Sequence, residues 1–154
     1  MKKILWIFLA AMLIACGENK HQEAELMLKR ANTLFEQRQY DRALIVIDSL
    51  RKVYPNAIEI RKQALRLYQD IELKHAQEEL AVTDSALQVV KHDYEELKLK
   101  VEKAKQELRA KPEELTLLTK TRVRRDSLQT QFDVLCAKIQ YIHKKQKEQG
   151  ETEE

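Results

Sequence analysis

The residue types that carry most protein chemistry are thinly spread along this chain. It has 154 residues with two cysteines, Cys16 and Cys136, and four histidines, His21, His75, His92 and His143. The histidines form no ligand cluster. Cys136 and His143 lie two helical turns apart on one face, about 10 Å, which is too far to share a metal ion. The 25 acidic residues fall on the polar faces of helical patterns, with no pocket to raise a carboxyl pKa. A glycine-rich phosphate loop or a nucleophile elbow needs residues that accept positive φ, and the chain has two glycines, Gly17 and Gly150. The expectation is a protein without catalytic residues, metal or cofactor. One thiol stands apart: Cys16 closes an apolar run, in "LIACGENK", where the chain turns abruptly polar.

Met1-Lys2-Lys3 is a short basic start, and Ile4 to Ala15, "ILWIFLAAMLIA", is uncharged and apolar. As a helix this run spans about 18 Å, short of a hydrocarbon core of about 30 Å. A basic start before a short apolar core is the pattern of a secretory signal. Ala15 would suit ordinary signal cleavage as well, so the next residue decides. Leu13-Ile14-Ala15-Cys16 resembles the lipobox of bacterial lipoproteins. The resemblance implies that residues 1–15 are removed and that Cys16, the new first residue, takes a thioether-linked diacylglycerol and an amide-linked acyl chain. Stable anchoring needs more than one chain, at about 0.8 kcal/mol per buried methylene, and such a cysteine supplies it without a membrane-spanning helix. It also implies a bacterial cell envelope, with Gly17 in place of Asp favouring the outer membrane over the inner. Residues 16–22 would then be a lipidated linker. Cys136 is left as a lone cysteine, expected in a helix packing face.

The elements around these residues read as all-α. Two glycines and two prolines compare with roughly 7% and 5% in average usage, too few for hairpins or tight sheets. Net charge is +3; without Lys2 and Lys3 the remaining 26 basic and 25 acidic residues leave +1, which gives no support for nucleic-acid binding.

Residues 23–71 form the first helical module. Leu26, Leu28, Ala31, Leu34 and Phe35 recur at helical spacing, as do Ala43, Leu44, Ile47 and Leu50. Gln37-Arg38-Gln39 connects the two helices, Pro55 ends the second, and Asn56 with Glu59 could cap a third. The stretch Ala24 to Tyr68 resembles a tetratricopeptide repeat, whose pattern is W-x2-L-G-x2-Y, A-x3-F, P. Met27 stands at the tryptophan position, Ala31 at the glycine, Leu34 at the tyrosine, Ala43 and Ile47 in A-x3-F, and Pro55 in place. Arg30 at the leucine position departs from the pattern. Leu65 and Tyr68 begin a second unit that Gln77 does not continue. The resemblance implies a protein-binding module, with Met27, Leu34, Tyr40 and Tyr68 as the candidate contact residues. An ordinary three-helix unit would satisfy the same spacing.

Near Glu72 the apolar phase slips. Ile60, Ala64, Leu67 and Ile71 share one register; Leu73, Ala76, Leu80, Leu87, Val90, Tyr94, Leu97, Val101, Ala104 and Leu108 share another, alternating steps of three and four as in a heptad. Pro112 stops that helix and starts the next, with Glu113 and Glu114 in its first turn. Leu118, Leu128, Phe132, Leu135, Ile139 and Ile142 then form a second seam, with Thr121, Arg125 and Gln146 as its polar positions. Residues 72–148 are therefore expected as an antiparallel coiled-coil hairpin roughly 55 Å long, broken near 110–112, with 149–154 a disordered tail. A continuous kinked helix in a parallel dimer is the other reading of the seam.

The hairpin tip is basic: Lys98 to Arg125 holds ten Lys and Arg against four Glu. Lys120, Arg122, Arg124 and Arg125 are the candidate anion-binding residues there. The chain reads as a membrane-anchored, non-enzymatic scaffold, adaptor or spacer that binds a protein partner or associates with itself. The alternative is a binder of an anionic envelope polymer or of lipid headgroups through the tip.

Overall fold

The computed structural model describes residues 20–151; the apolar leader, Cys16 and residues 152–154 lie outside them. The described chain is all-α, with no strands. The first helix, α1, covers residues 20–36. It is followed by α2 (Tyr40–Val53), α3 (Ile58–Gln106) and α4 (Pro112–Glu151). The chain divides into two compact units between Glu72 and Leu73, and the 49-residue α3 runs unbroken through that point.

The first unit is a three-helix core. Ala24, Ala31 and Leu34 from α1, Tyr40, Ala43, Ile47 and Leu50 from α2, and Ile60, Ala64, Leu67 and Ile71 from α3 form one buried cluster. Ala31, Ala43 and Ala64 are completely buried. One small residue from each helix lets the backbones approach closely, and the larger side chains fill the remaining space. Leu26, which shares the apolar spacing, is 66% exposed; Ala24, two residues earlier and in the buried stripe, is the packed residue instead. The Phe35 and Tyr40 rings meet across the α1–α2 turn in a tilted contact, centroids 6.0 Å apart. Two buried polar atoms, Arg61 Nε and Gln69 Oε1, make no hydrogen bond among the described residues, at a cost on the order of 1–3 kcal/mol each.

Two of the three connections, α1–α2 and α3–α4, solve the lack of glycine in one way. After α1, the N–H of Arg38 donates to Phe35 and that of Gln39 to Leu34, each at 2.9 Å. After α3, the N–H of Leu108 donates to Lys105 at 3.0 Å and that of Arg109 to Ala104 at 2.8 Å. These are Schellman closures, whose first residue beyond the helix must be left-handed. Arg38 and Leu108 take that conformation at φ 58 and 54, where glycine is the ordinary occupant. Leu108 is therefore removed from the coiled-coil seam: it is 95% exposed, and α3 ends at Gln106 rather than near Lys111. At the start of α3, Arg61 N–H donates to the Ala57 carbonyl and the Arg61 guanidinium to the Pro55 carbonyl at 2.8 Å. Ala57 thus stands at the cap position expected of Asn56, and Glu59 instead engages Lys62 at 3.1 Å.

The second unit is an antiparallel helical hairpin. Leu73, Ala76, Leu80, Thr83, Leu87, Val90, Tyr94, Leu97, Val101 and Ala104 are all buried or half-buried. So are Leu118, Thr121, Arg125, Leu128, Phe132, Leu135, Ile139, Ile142 and Gln146 in α4. Lys100 pairs with Glu114 at 3.3 Å, and Tyr94 lies 4.2 Å beneath the Arg125 guanidinium. Stepping back along α3 moves the contact forward along α4, as an antiparallel pair requires. Glu114 reaches back to the N–H of Lys111 at 3.4 Å, half of a capping box at the start of α4. Helix α4 continues through Glu151, so residues 149–151 of the expected tail are helical.

The Ala43 contact is closed to added volume. Ala43→Leu should destabilise the first unit by about 1–3 kcal/mol through overpacking, whereas Leu26→Ala should leave the melting curve unchanged; circular dichroism melts distinguish the two. Leu108→Gly removes left-handed strain of about 1–2 kcal/mol, partly offset by the entropy of a freer unfolded chain. It should raise the hairpin's melting temperature, because the exposed leucine contributes no packing.

Candidate interaction surfaces

The candidate contact residues of the first unit divide into core and surface. Leu34 and Tyr40 are buried in the three-helix cluster, and Met27 is half-buried against it. They hold helices together and present little to a visiting molecule. Tyr68 is 37% exposed and lies beside a shallow depression of about 490 Å³ lined also by Leu44, Ile45, Asp48 and Arg51. Ile45, which the helical spacing did not single out, is 65% exposed there. Its position just after the buried Ala43 and the half-buried Leu44 gave it no place in the core stripe, and an exposed isoleucine has no other sequence signature.

A second cleft of about 370 Å³ sits at the first described residues. It is lined by Lys20, His21, Val53, Tyr54, Pro55, Asn56 and Ala57. The Tyr54 hydroxyl, at the end of α2, donates to the Glu23 carboxylate at 2.8 Å and so ties the start of α1 to the α2–α3 connection. That bond favours the neutral phenol, and it is the first cause of the raised Tyr54 pKa.

In the second unit the four candidate anion-binding residues differ in exposure. Arg125 faces the seam, where it covers Tyr94 and pairs with Asp126 at 2.7 Å. The Asp126 hydrogen bond is the main reason its pKa is raised. Lys120, Arg122 and Arg124 are exposed. Lys120 and Arg124 line a shallow trough of about 490 Å³ along α4, with Thr119, Val123, Ser127, Leu128 and Gln131. Elsewhere at the tip, Arg109 is paired with Glu107 and Lys100 with Glu114. The Glu114 carboxyl is held below its ordinary value, first by the Lys111 N–H and then by Lys100. The tip's positive charge is thus partly neutralised by its own carboxylates.

Cys136 is a free, half-buried thiol. Among the described residues no group of three or more His, Cys, Asp or Glu could hold a metal ion, and no helix is long and apolar enough to cross a membrane. The Cys16 assignment lies outside the described residues. Comparison with known protein families, with curated proteins and with solved structures finds no match.

The Tyr54–Glu23 bond makes a signed prediction. A raised folded pKa gives stabilisation that is full below the ordinary tyrosine pKa and lost as pH rises through the folded value. In an ultraviolet titration Glu23→Gln should shift the ionisation of Tyr54 to lower pH, because the hydrogen bond that raises its pKa is weakened.

Proposed function

We propose that this chain is a lipid-anchored, non-enzymatic protein of the bacterial cell envelope that serves as an interaction scaffold, adaptor or spacer. The observation that carries the reading is Leu13-Ile14-Ala15-Cys16 at the end of a basic start and a twelve-residue apolar core. In that reading the acylated Cys16 replaces a membrane-spanning helix, and the outer membrane is its address. The chain beyond it consists of helical packing units with exposed apolar side chains, the chemistry of protein contact rather than of turnover. The tetratricopeptide resemblance is supported by the complete burial of Ala31 and Ala43, at the positions where that repeat needs small residues. Tyr68, Ile45 and Leu44 then offer the accessible surface of the module.

A second reading rests on Lys120, Arg122 and Arg124, which stay exposed while Arg125 and Lys100 are engaged within the hairpin. Those three side chains suit phosphate groups of lipid headgroups or an anionic envelope polymer.

The test is Cys16→Ser in the intact cell. The unaltered chain should fractionate with membranes and carry the mass of its acyl chains, while the variant should lose both. An unacylated chain, cut or uncut, would sink the anchor. Affinity capture from crosslinked envelopes, repeated with Lys120, Arg122 and Arg124 replaced by Gln, separates the two readings. Capture of one specific protein should survive the replacement. Binding only to anionic vesicles, lost on replacement, would favour the second.

A further inference from the structure

Helix α4 carries an apolar stripe and, on another side, an uncharged one. The first faces α3, through Leu118, Leu128, Phe132, Leu135, Ile139 and Ile142. The second lies on the opposite side: Val123, Ser127, Thr130, Val134, Ala137 and Tyr141 are spaced by four, three, four, three and four residues, and every one is exposed. Val123 and Val134 are each 60% exposed and Tyr141 61%. No charged residue falls on this line through five helical turns, on a helix in which charge is otherwise frequent. The spacing is that of a coiled-coil seam, and Val123, Val134, Ala137 and Tyr141 are its apolar members. The trough along α4 opens beside the start of this line, at Val123 and Ser127.

We infer that this outer stripe pairs with the same stripe of a second copy of the chain, the two α4 helices lying parallel. The flanking charges decide both the occupant and its direction. Along the stripe one flank carries Asp126, Asp133 and Gln140; the other carries Arg124, Gln131 and Lys138. Asp126 is held by Arg125 of its own chain. Asp133 accepts the neutral Gln129 amide at 2.9 Å, which leaves its charge unbalanced among the described residues. In a parallel pair each flank residue meets the opposite flank of the second copy five residues further on. Asp133 then meets Lys138, and Asp126 meets Gln131. In the antiparallel pair that superposes the stripe on itself, Val123 lies opposite Tyr141. Asp133 is then set against Asp133, and Arg124 against Lys138, and both like-charge contacts oppose association. A patch with one acidic and one basic flank is complementary to a parallel copy of itself. The inference needs no lipid anchor and stands apart from the reading of Cys16.

The experiment places single cysteines in the full chain, in its own cells, with Cys136→Ser as background and two differently tagged copies expressed together. Val134→Cys in both copies should give a disulfide-linked dimer of mixed tags under mild oxidation, as should Val123→Cys in both. Val123→Cys in one copy with Tyr141→Cys in the other should not. The reverse pattern, or no crosslink at any of these positions while the chain accumulates normally, overturns the inference. Asp133→Lys in both copies should cut the Val134→Cys crosslink about tenfold. Pairing an Asp133→Lys copy with a Lys138→Asp copy should restore it. An unchanged crosslink in the first case would show that proximity alone, without this interface, joins the chains. Unaltered resistance to protease in each variant keeps loss of folding from imitating loss of pairing.

Discussion

The structure depends on one helix that must bury two successive apolar stripes. A 49-residue helix gains little from intrinsic propensity, and most of its stability has to come from packing. In α3 the stripe Ile60, Ala64, Leu67 and Ile71 closes the three-helix core. The stripe that includes Ala76, Leu87, Val90 and Val101 closes the hairpin. The slip between them near Glu72 leaves the hydrogen-bond ladder intact, because only the direction of the buried face changes. Two units can therefore share one helix without any break in secondary structure.

The scarcity of glycine makes the turns the costly part of this fold. Arg38 and Leu108 occupy left-handed positions that exact roughly 1–2 kcal/mol from a residue with a Cβ. The return is the closure of the carbonyls of Leu34 and Phe35, and of Ala104 and Lys105, which would otherwise be left open at the helix ends. Pro112 and Glu114 start α4 more cheaply, since proline lacks the N–H that a first helical turn cannot use and Glu114 reaches back to Lys111. The hairpin tip is thus strained on its α3 side and well capped on its α4 side.

Much of the packing was legible because heptad spacing is a direct imprint of which side chains face inward. Polar seam residues such as Thr121, Arg125 and Gln146 share the protection of their apolar neighbours, as position alone demands. What failed to show was local and energetic. Leu108 continues the apolar spacing and still leaves the seam, because helix termination is set by a backbone closure whose left-handed residue has no sequence mark when it is not glycine. Leu26 matches an apolar rhythm but lies off the stripe defined by Ala24, Ala31 and Leu34. Tyr94 and Arg125 both fall on seam positions, but the stacking of the guanidinium on the ring has no sequence mark.

The sequence alone established an all-α chain, the apolar stripes and the motif at Cys16, since composition, periodicity and a four-residue pattern are properties of the chain in one dimension. Tertiary structure decided which charges are spent on the protein's own partners. It buried Leu34 and Tyr40, drew Arg125 into the seam, and set Lys100 against Glu114. It also left the outer stripe of α4 uncovered. The reason is geometric: a helix pattern defines faces, but whether a face is occupied depends on how many neighbours the fold supplies, and α4 receives one where its residues are arranged for two.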